Sequence, residues 1–346
     1  MVMTQPLFSG GANLHRISSA RADREATESW RNDQSAEVLM SVRQAFIDLQ
    51  AQWEVIGLRE ESLIRAERSL ARAERRRTLG LVARSETLRW QVQVADERVQ
   101  LIRAINAFDV GLERFKRLIG YPPTSPLALD FLTPHQVESL MGRGIAELEA
   151  EEGQGAADWI EEHPAVVAAG LEAEAARSQR RASSSDYWPR LDLDGSLGYL
   201  ENDTLALDGF VEWSVRLRLS IPVWDGGQRA SNRARAQTGE SLAALQLRVV
   251  RDELFVANQS VVADLLADLA ELENARTAVV QARETVDSVT NKASLGLVDY
   301  IQQIDAQVVL TQSEVAETSA RYLFVKDLFR WWRVRRPESL EPGAVQ

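Results

Sequence analysis

The sequence predicts a mainly α-helical protein with a small β part, built from two long antiparallel helical hairpins in tandem. Three observations carry that prediction. The first is the distribution of the ten prolines, which leaves residues 7–121 and 223–336 free of them. Proline breaks a helix interior at a cost of about 3 kcal/mol, so such spans permit very long helices. The second is a heptad-like apolar pattern sustained across these spans. The third is an internal repeat at a constant offset of 216 residues.

Taken in order, the first element is a strand remnant, Met1–Gln5, which Pro6 closes. A helix follows from about Ala12 to Leu79. Leu39, Val42, Phe46, Leu49, Trp53, Ile56, Leu63 and Leu70 recur at spacings of three and four or their sum, a seam interrupted by Glu60 and Glu67. At 1.5 Å per residue this helix is on the order of 100 Å long, against about 11–12 residues for an ordinary helix. The chain therefore reads as elongated. Gly80, within Leu79-Gly80-Leu81, suits the turn of a helical hairpin, and a second helix covers about Ser85–Leu118.

The repeat then begins again. Pro6-Leu7-Phe8-Ser9-Gly10-Gly11 matches Pro222-Val223-Trp224-Asp225-Gly226-Gly227, and Leu79-Gly80-Leu81-Val82 matches Leu295-Gly296-Leu297-Val298. Both pairs of anchors lie 216 apart, with no insertion between them. The seam continues as Phe255, Val262, Leu265, Leu269, Leu272, Val279 and Val286, with Arg276 and Arg283 where the first copy has Glu60 and Glu67. Matched helix breakers are rarer than matched heptads, so the two halves read as a true duplication.

Residues 119–162, rich in proline and glycine and acidic near Glu149–Gly153, read as a connector with short helices. Pro164 opens a helix to about Asp186. Over residues 190–221 the period changes from 3.6 to 2. Val211, Trp213, Val215, Leu217, Leu219 and Ile221 alternate with Glu212, Ser214, Arg216, Arg218 and Ser220. Leu191, Leu193, Leu197 and Tyr199 alternate with Asp192, Asp194 and Ser196, and the polar Glu201–Gly209 joins the two strands. Each strand is about 11 residues, the length that crosses a bilayer when tilted. A lone hairpin is marginal and leaves its edges unpaired, so partner strands must come from elsewhere. By the arithmetic of the second copy, a helix and most of a hairpin, roughly 50 to 60 residues, should precede Met1. Residues 337–346 read as a disordered tail. The domains are thus 1–118 (first, incomplete repeat), 119–162 (connector) and 163–336 (second repeat, with its hairpin at 190–221 and helices over 223–335).

Composition narrows function. The net charge of -11, from 51 acidic and 40 basic residues, argues against nucleic-acid binding. The absence of cysteine removes disulfides, thiolate metal sites and cysteine nucleophiles. No run of 18 or more apolar residues suggests a transmembrane helix. The N-terminus MVMTQPLFSGG is not a secretory signal as it stands. His15, His135 and His163 are far apart, no nucleophile motif is present, and neither catalysis nor a cofactor or metal site is predicted.

The residues Trp188–Tyr199 (WPRLDLDGSLGY), Ser220–Arg229 (SIPVWDGGQR) and the two Leu-Gly-Leu tips resemble the TolC-like outer membrane efflux protein family, over about residues 1–335. The resemblance implies a homotrimer in the cell outer membrane of Gram-negative bacteria. Its protomers would share a twelve-stranded β-barrel in outer membrane lipid and a helical tunnel through the periplasm, docked on a periplasmic adaptor protein and an inner-membrane pump or secretion ATPase. The function implied is a passive exit duct for efflux or type I secretion.

On this resemblance Leu79, Gly80, Leu81, Leu295, Gly296 and Leu297 are the tips that meet the adaptor. Asp305 lines the periplasmic constriction, while a second gate carboxylate falls at Gln302. Pro6, Gly10, Gly11, Pro189, Pro222, Gly226 and Gly227 mark the strand–helix junctions. Asp192, Asp194, Glu212, Arg216 and Arg218 line the watery lumen. Phe8, Tyr187, Trp188 and Trp224 belong to the aromatic girdle. Arg72, Arg75, Arg76 and Arg77 read as a solvated face near a tip. The alternatives are a soluble coiled-coil scaffold with its hairpin packed locally, and a non-functional fragment of a channel.

Overall fold

The computed structural model describes residues 2–151, 157–200, 210–295 and 297–335. The chain order is β1 (Val2–Phe8), α1 (Ala12–Thr78), α2 (Arg84–Leu118), α3 (Pro134–Glu151), α4 (Ala157–Glu162), α5 (Pro164–Ser184), β2 (Arg190–Leu200), β3 (Phe210–Ser220), α6 (Gln228–Ser294) and α7 (Tyr300–Arg335). A single 3-10 turn, Ser185–Tyr187, lies between α5 and β2. The duplication is visible in these bounds. Helices α1 and α6 have 67 residues each, and both their ends lie 216 apart. The predicted loop Glu201–Gly209, the acidic stretch around Gly153, Gly296 and the tail 337–346 lie wholly or partly outside the described residues.

The chain divides into two compact units. The first comprises residues 1–34 and 157–255. It holds a three-stranded antiparallel sheet of order β1-β2-β3, with α5 packed on the start of α1. This packing works through small residues. Ala168, Ala169, Ala173 and Ala175 are buried on α5, and Ala22 and Ala26 on α1. Small side chains let the backbones approach closely enough for Ser19 Oγ to donate to the Ala175 carbonyl (3.1 Å) and Ser29 Oγ to that of Pro164 (2.8 Å). Trp30 donates from Nε1 to Glu172 (2.8 Å) and packs beside Val166 and Val250. His163 caps α5, its Nδ1 accepting from the Ala165 amide at 3.2 Å, with Pro164 in the first turn where no amide is needed.

The second unit, residues 35–156 and 256–346, carries the main core. Ile47 of α1, Val137 of α3, Leu265 and Leu272 of α6 and Tyr322, Phe324, Val325, Leu328 and Trp331 of α7 are almost fully buried there. A polar network ties the connector to this core. Gln50 donates to the Leu132 carbonyl (2.7 Å) and to the Tyr322 hydroxyl (2.9 Å), and its Oε1 accepts from the Leu132 amide (3.2 Å). Tyr322 in turn donates to Glu54, which also pairs with Arg321 at 3.0 Å. Burial and Glu54 push the Tyr322 phenol well above its ordinary pKa, so it remains a donor.

Two details correct the sequence reading. In the first copy, Leu49 and Ile56 of the predicted seam are buried, but Trp53 is 52% exposed, and Leu39, Val42, Phe46, Leu63 and Leu70 are only half-buried. The buried line instead runs through Ala36, Met40, Ile47, Ser62, Ala66, Ser69 and Ala73. Small residues mark where helices come closest, and the larger apolar side chains form a shoulder beside that line. Ser62 Oγ accordingly meets Thr311 Oγ1 of α7 at 2.9 Å. Nor do the charges interrupt the seam. Glu67 of α1 pairs with Arg98 of α2 at 3.3 Å. Their counterparts 216 residues on are Arg283 of α6 and Glu314 of α7, which pair at 3.2 Å with the signs reversed. Glu314 is buried and also holds Arg65 of α1 at 3.2 Å, so this one carboxylate clamps three helices.

A second paired position has diverged further. Asp268 of α6 and Asp327 of α7 are both buried, and Asp327 raises the cost of ionising Asp268. Burial, then Asp327, pushes Asp268 up to about 6, with Glu271 and Asp264 adding to the shift, while Arg330 holds Asp327 at 2.8 Å. A carboxyl whose folded pKa is raised carries no penalty below its unfolded value near 4. The penalty grows through pH 4–6 and is complete above. The pair should therefore cost stability as pH rises to neutrality. We expect Asp268→Asn to stabilise the chain by roughly 1–3 kcal/mol above pH 6 and to leave it unchanged near pH 4, measured by thermal melting across pH 4–8. A stabilisation that does not vary with pH would sink this account.

Candidate functional site

The sheet is built from strict alternation. Leu191, Leu193, Gly195 and Leu197 of β2 stand opposite Leu219, Leu217, Val215 and Trp213 of β3, so one face is continuously apolar. Leu217 and Leu219 are 61% and 62% exposed, and no described residue covers them. The other face holds all five polar strand residues singled out above. Asp192 stands opposite Arg218, Asp194 opposite Arg216, and Glu212 opposite Gly198. Arg218 reaches diagonally to Asp194 at 2.9 Å, Thr4 of β1 donates to Asp194 at 2.9 Å, and Ser196 and Ser214 meet at 2.8 Å. β2 pairs on both sides, whereas β1 and β3 each leave one edge without a partner among the described residues. Eleven residues rising about 3.3 Å each, tilted near 45°, span about 26 Å, close to the apolar band of an outer-membrane barrel.

The junctions are specialised. Pro189 directly precedes β2, and Pro222 lies two residues past β3. Pro6 does not follow its strand as predicted. It sits inside β1, which continues to Phe8 with an irregularity in register between Pro6 and Phe8. The broken register is the reason: proline, which has no amide hydrogen, is tolerated where the ladder is already interrupted. Gly10 and Gly11 have φ of 60° and 86°, and Gly226 and Gly227 of 64° and 89°, in the left-handed region. At Gly10 space is also short, since a Cβ would lie 2.6 Å from Trp188 Cβ and 2.8 Å from the Ser185 carbonyl. Nothing crowds Gly226.

Sequence reasoning missed the clasp at the second junction. Asp225 accepts from the Gly227 amide (3.2 Å) and the Arg229 amide (2.9 Å), and pairs with the Arg229 guanidinium at 2.8 Å. Arg229 also donates to the Pro222 carbonyl (3.0 Å) and lies 5.2 Å over the Tyr187 ring. The Arg229 side chain first, and its amide second, hold the Asp225 carboxyl below its usual range. An aspartate placed just before a helix was the available signal. Phe8, Tyr187, Trp188 and Trp224 are all exposed beside these junctions.

The helical tips lie in the other unit. Gly80, at φ 74°, lets the Leu81 amide return to the Arg76 carbonyl (2.9 Å), and the Leu297 amide returns likewise to that of Lys292 (3.0 Å). Leu79, Leu81, Leu295 and Leu297 are all exposed, at 64–73%. Gly296 lies outside the described residues. Arg75, Arg76 and Arg77 are exposed beside the first tip. Carboxylates from the two hairpins approach each other here. Burial, and to a lesser degree Asp299, push Glu86 of α2 upward, while Arg76 opposes the shift. Asp305 is exposed on α7 and makes no ion pair with a described residue, and Gln302 is exposed one turn before it. Among the described residues no three potential metal ligands converge.

The model of a known family, outer membrane efflux protein, matches residues 1–121 and 157–328. The chain belongs to the outer membrane efflux protein family. It is similar to outer membrane efflux protein BepC of Brucella suis, at 23% identity over 92% of this chain and 68% of BepC. It is also similar to outer membrane protein TolC of Escherichia coli, at 24% identity over 75% of this chain, but spans 53% of TolC. The outer membrane protein VceC of Vibrio cholerae has the same fold, with a TM-score of 0.78 over 96% of this chain and 78% of that one at 18% identity. This efflux-family chain is therefore TolC-like, and its place is the outer membrane.

The junction glycines give a graded expectation. An alanine in the left-handed region costs about 1–2 kcal/mol, and forced overpacking typically adds 1–3 kcal/mol. Gly226→Ala should lower unfolding free energy by the first amount alone, and Gly10→Ala by both, as read from urea titrations of the purified chain. Equal losses would show that the Trp188–Ser185 contact does not confine Gly10.

Proposed function

We propose that this protein is the outer-membrane exit duct of a tripartite efflux or type I secretion system. It works as a homotrimer whose strands close a barrel and whose helical tips dock on a periplasmic adaptor joined to an inner-membrane pump. The observation that carries this reading is the sheet, which has one apolar and one charged face, bilayer length and two open edges. Lipid would take the apolar face and water in the lumen the charged one. Strands from neighbouring protomers would satisfy the free edges, as a bilayer requires.

The duct itself does no chemistry. Cargo passes along a lumen lined by Asp192, Asp194, Glu212, Arg216 and Arg218. At the periplasmic end three copies of Asp305 would form an acidic ring that favours cations. The exposed leucines of the two tips offer apolar knobs to the adaptor, and their engagement would spread the hairpins. The shared backbone closure of both tips supports equivalent roles for them.

Arginine at the middle of a lipid-facing strand costs about 2–4 kcal/mol. Leu217→Arg should abolish the assembled oligomer in outer membrane fractions, whereas Arg216→Gln on the opposite face should leave it intact. On a soluble scaffold both substitutions would be tolerated, since both positions are exposed. Assembly of Leu217→Arg at wild-type levels overturns the barrel.

The tips are tested separately. Leu79→Ser combined with Leu297→Ser should preserve the oligomer while reducing substrate export at least tenfold. Asp305→Asn should lower cation preference in single-channel conductance. Unchanged export and unchanged selectivity would remove these roles.

A further inference from the structure

Beside the main core of the second unit lies a cavity of about 560 Å3, walled by α1, α2, α3, α7 and the residues before α3. Its interior is apolar: Phe46, Ile47, Phe115, Leu132, Leu140 and Phe329. Its polar lining includes the neutral Gln136 and Ser139, and its charge is one-sided. Arg43, His135 and Arg143 contribute to it and no carboxylate does, in a chain that carries 51 acidic residues. Both arginines are held against aromatic rings. The Arg43 guanidinium lies 5.7 Å from the Phe329 centroid, and that of Arg143 lies 5.4 Å from the Trp332 centroid. Arg143 makes no ion pair with a described residue. Burial lowers the pKa of Arg43, a sign that its charge is short of water.

We infer that this cavity is a binding site for a single-chain amphipathic anion, such as a free fatty carboxylate. The acyl chain would lie along Phe46, Ile47, Phe115 and Phe329, and the carboxylate between Arg43 and Arg143. Ligand pockets run about 300–1,000 Å3, so the volume suits one small ligand and not the two acyl chains of a phospholipid. The choice of an anion follows from the charge of the lining. A carboxylate would gain charge-assisted hydrogen bonds from guanidinium groups that already lie over aromatic rings. An amphipathic cation would meet two arginines and nothing to neutralise it. The site uses none of the sheet, tip or junction residues, so it stands apart from the duct reading.

Isothermal titration of the purified full-length chain with dodecanoate, kept below its micelle concentration, tests the assignment. One dodecanoate should bind per chain, and dodecyltrimethylammonium, with the same tail and opposite charge, should bind at least tenfold more weakly. Arg143→Gln should weaken dodecanoate at least tenfold. Ser139→Trp, at the exposed lining, should fill the cavity and abolish binding while the melting temperature stays close to wild type. Arg24→Gln, an exposed arginine in the other unit, should change nothing. Phosphatidylglycerol vesicles should give no heat that Ser139→Trp removes. Absence of saturable binding, as when a second copy of the chain covers the cavity, overturns the inference. Equal affinity for the two surfactants, an unaffected Arg143→Gln variant or a vesicle signal lost in Ser139→Trp does so too.

Discussion

An unpaired strand edge in hydrocarbon leaves a row of amides and carbonyls that no water can satisfy, each at a cost of several kcal/mol. On the duct reading, that constraint organises this protein. The sheet presents Trp213, Val215, Leu217 and Leu219 on one exposed apolar face, and β1 and β3 each leave an edge unpaired among the described residues. A helix can satisfy its own backbone but a strand cannot. On that reading assembly is a requirement of the three strands before it is a property of the helices. The glycine turns and the Asp225–Arg229 clasp have a related task. They convert a chain whose hydrogen bonds run between strands into one whose bonds run within a helix, in a handful of residues.

Much of this architecture was legible because its signals are local or periodic. The 216-residue offset appears in two glycine motifs and returns as matching helix ends at Ala12 and Gln228, and at Thr78 and Ser294. Period-two alternation placed Asp192, Asp194, Glu212, Arg216 and Arg218 on one face, where register puts them. The misses share a physical cause. Which side of a helix is buried depends on how closely its neighbour approaches, so the small residues Ala66, Ser69 and Ala73 outrank the larger Leu63 and Leu70. Pro6 was read as a terminator, but the strand absorbs it at an irregularity in register and continues to Phe8. The Asp268–Asp327 pair and the Gln50–Tyr322 network join residues 59 and 272 positions apart, and no spacing rule reaches across helices.

The two copies have kept their geometry while exchanging their chemistry. Glu67–Arg98 and Arg283–Glu314 are the same cross-helix pair with the charges inverted; the first is exposed on both sides, whereas in the second the carboxylate is buried and gains Arg65 as a further partner. Where the second copy sets Asp268 against Asp327, the first sets Gln52 against Gly111, and a Cβ on that glycine would lie 2.6 Å from the Gln52 amide oxygen. Tyr322, central to the polar network, corresponds to Asn106. The network joins α1 of the first copy to α7 of the second through the connector, and its partners are not repeated in the reverse sense, so the hairpins are alike in outline and unlike in what they pack against.

The equal length of α1 and α6 carries an evolutionary consequence. Losing one residue from a continuous helix moves everything beyond it by 1.5 Å and turns it by 100°. Such a deletion in α1 alone would swing Leu79 and Leu81 a quarter-turn or more away from their bearing while leaving Leu295 and Leu297 unmoved. The two copies differ in side-chain chemistry along these helices, as the inverted ion pairs show, but not in the reading frame of side-chain direction. The copies differ in letters and agree in count, so length itself acts here as a ruler.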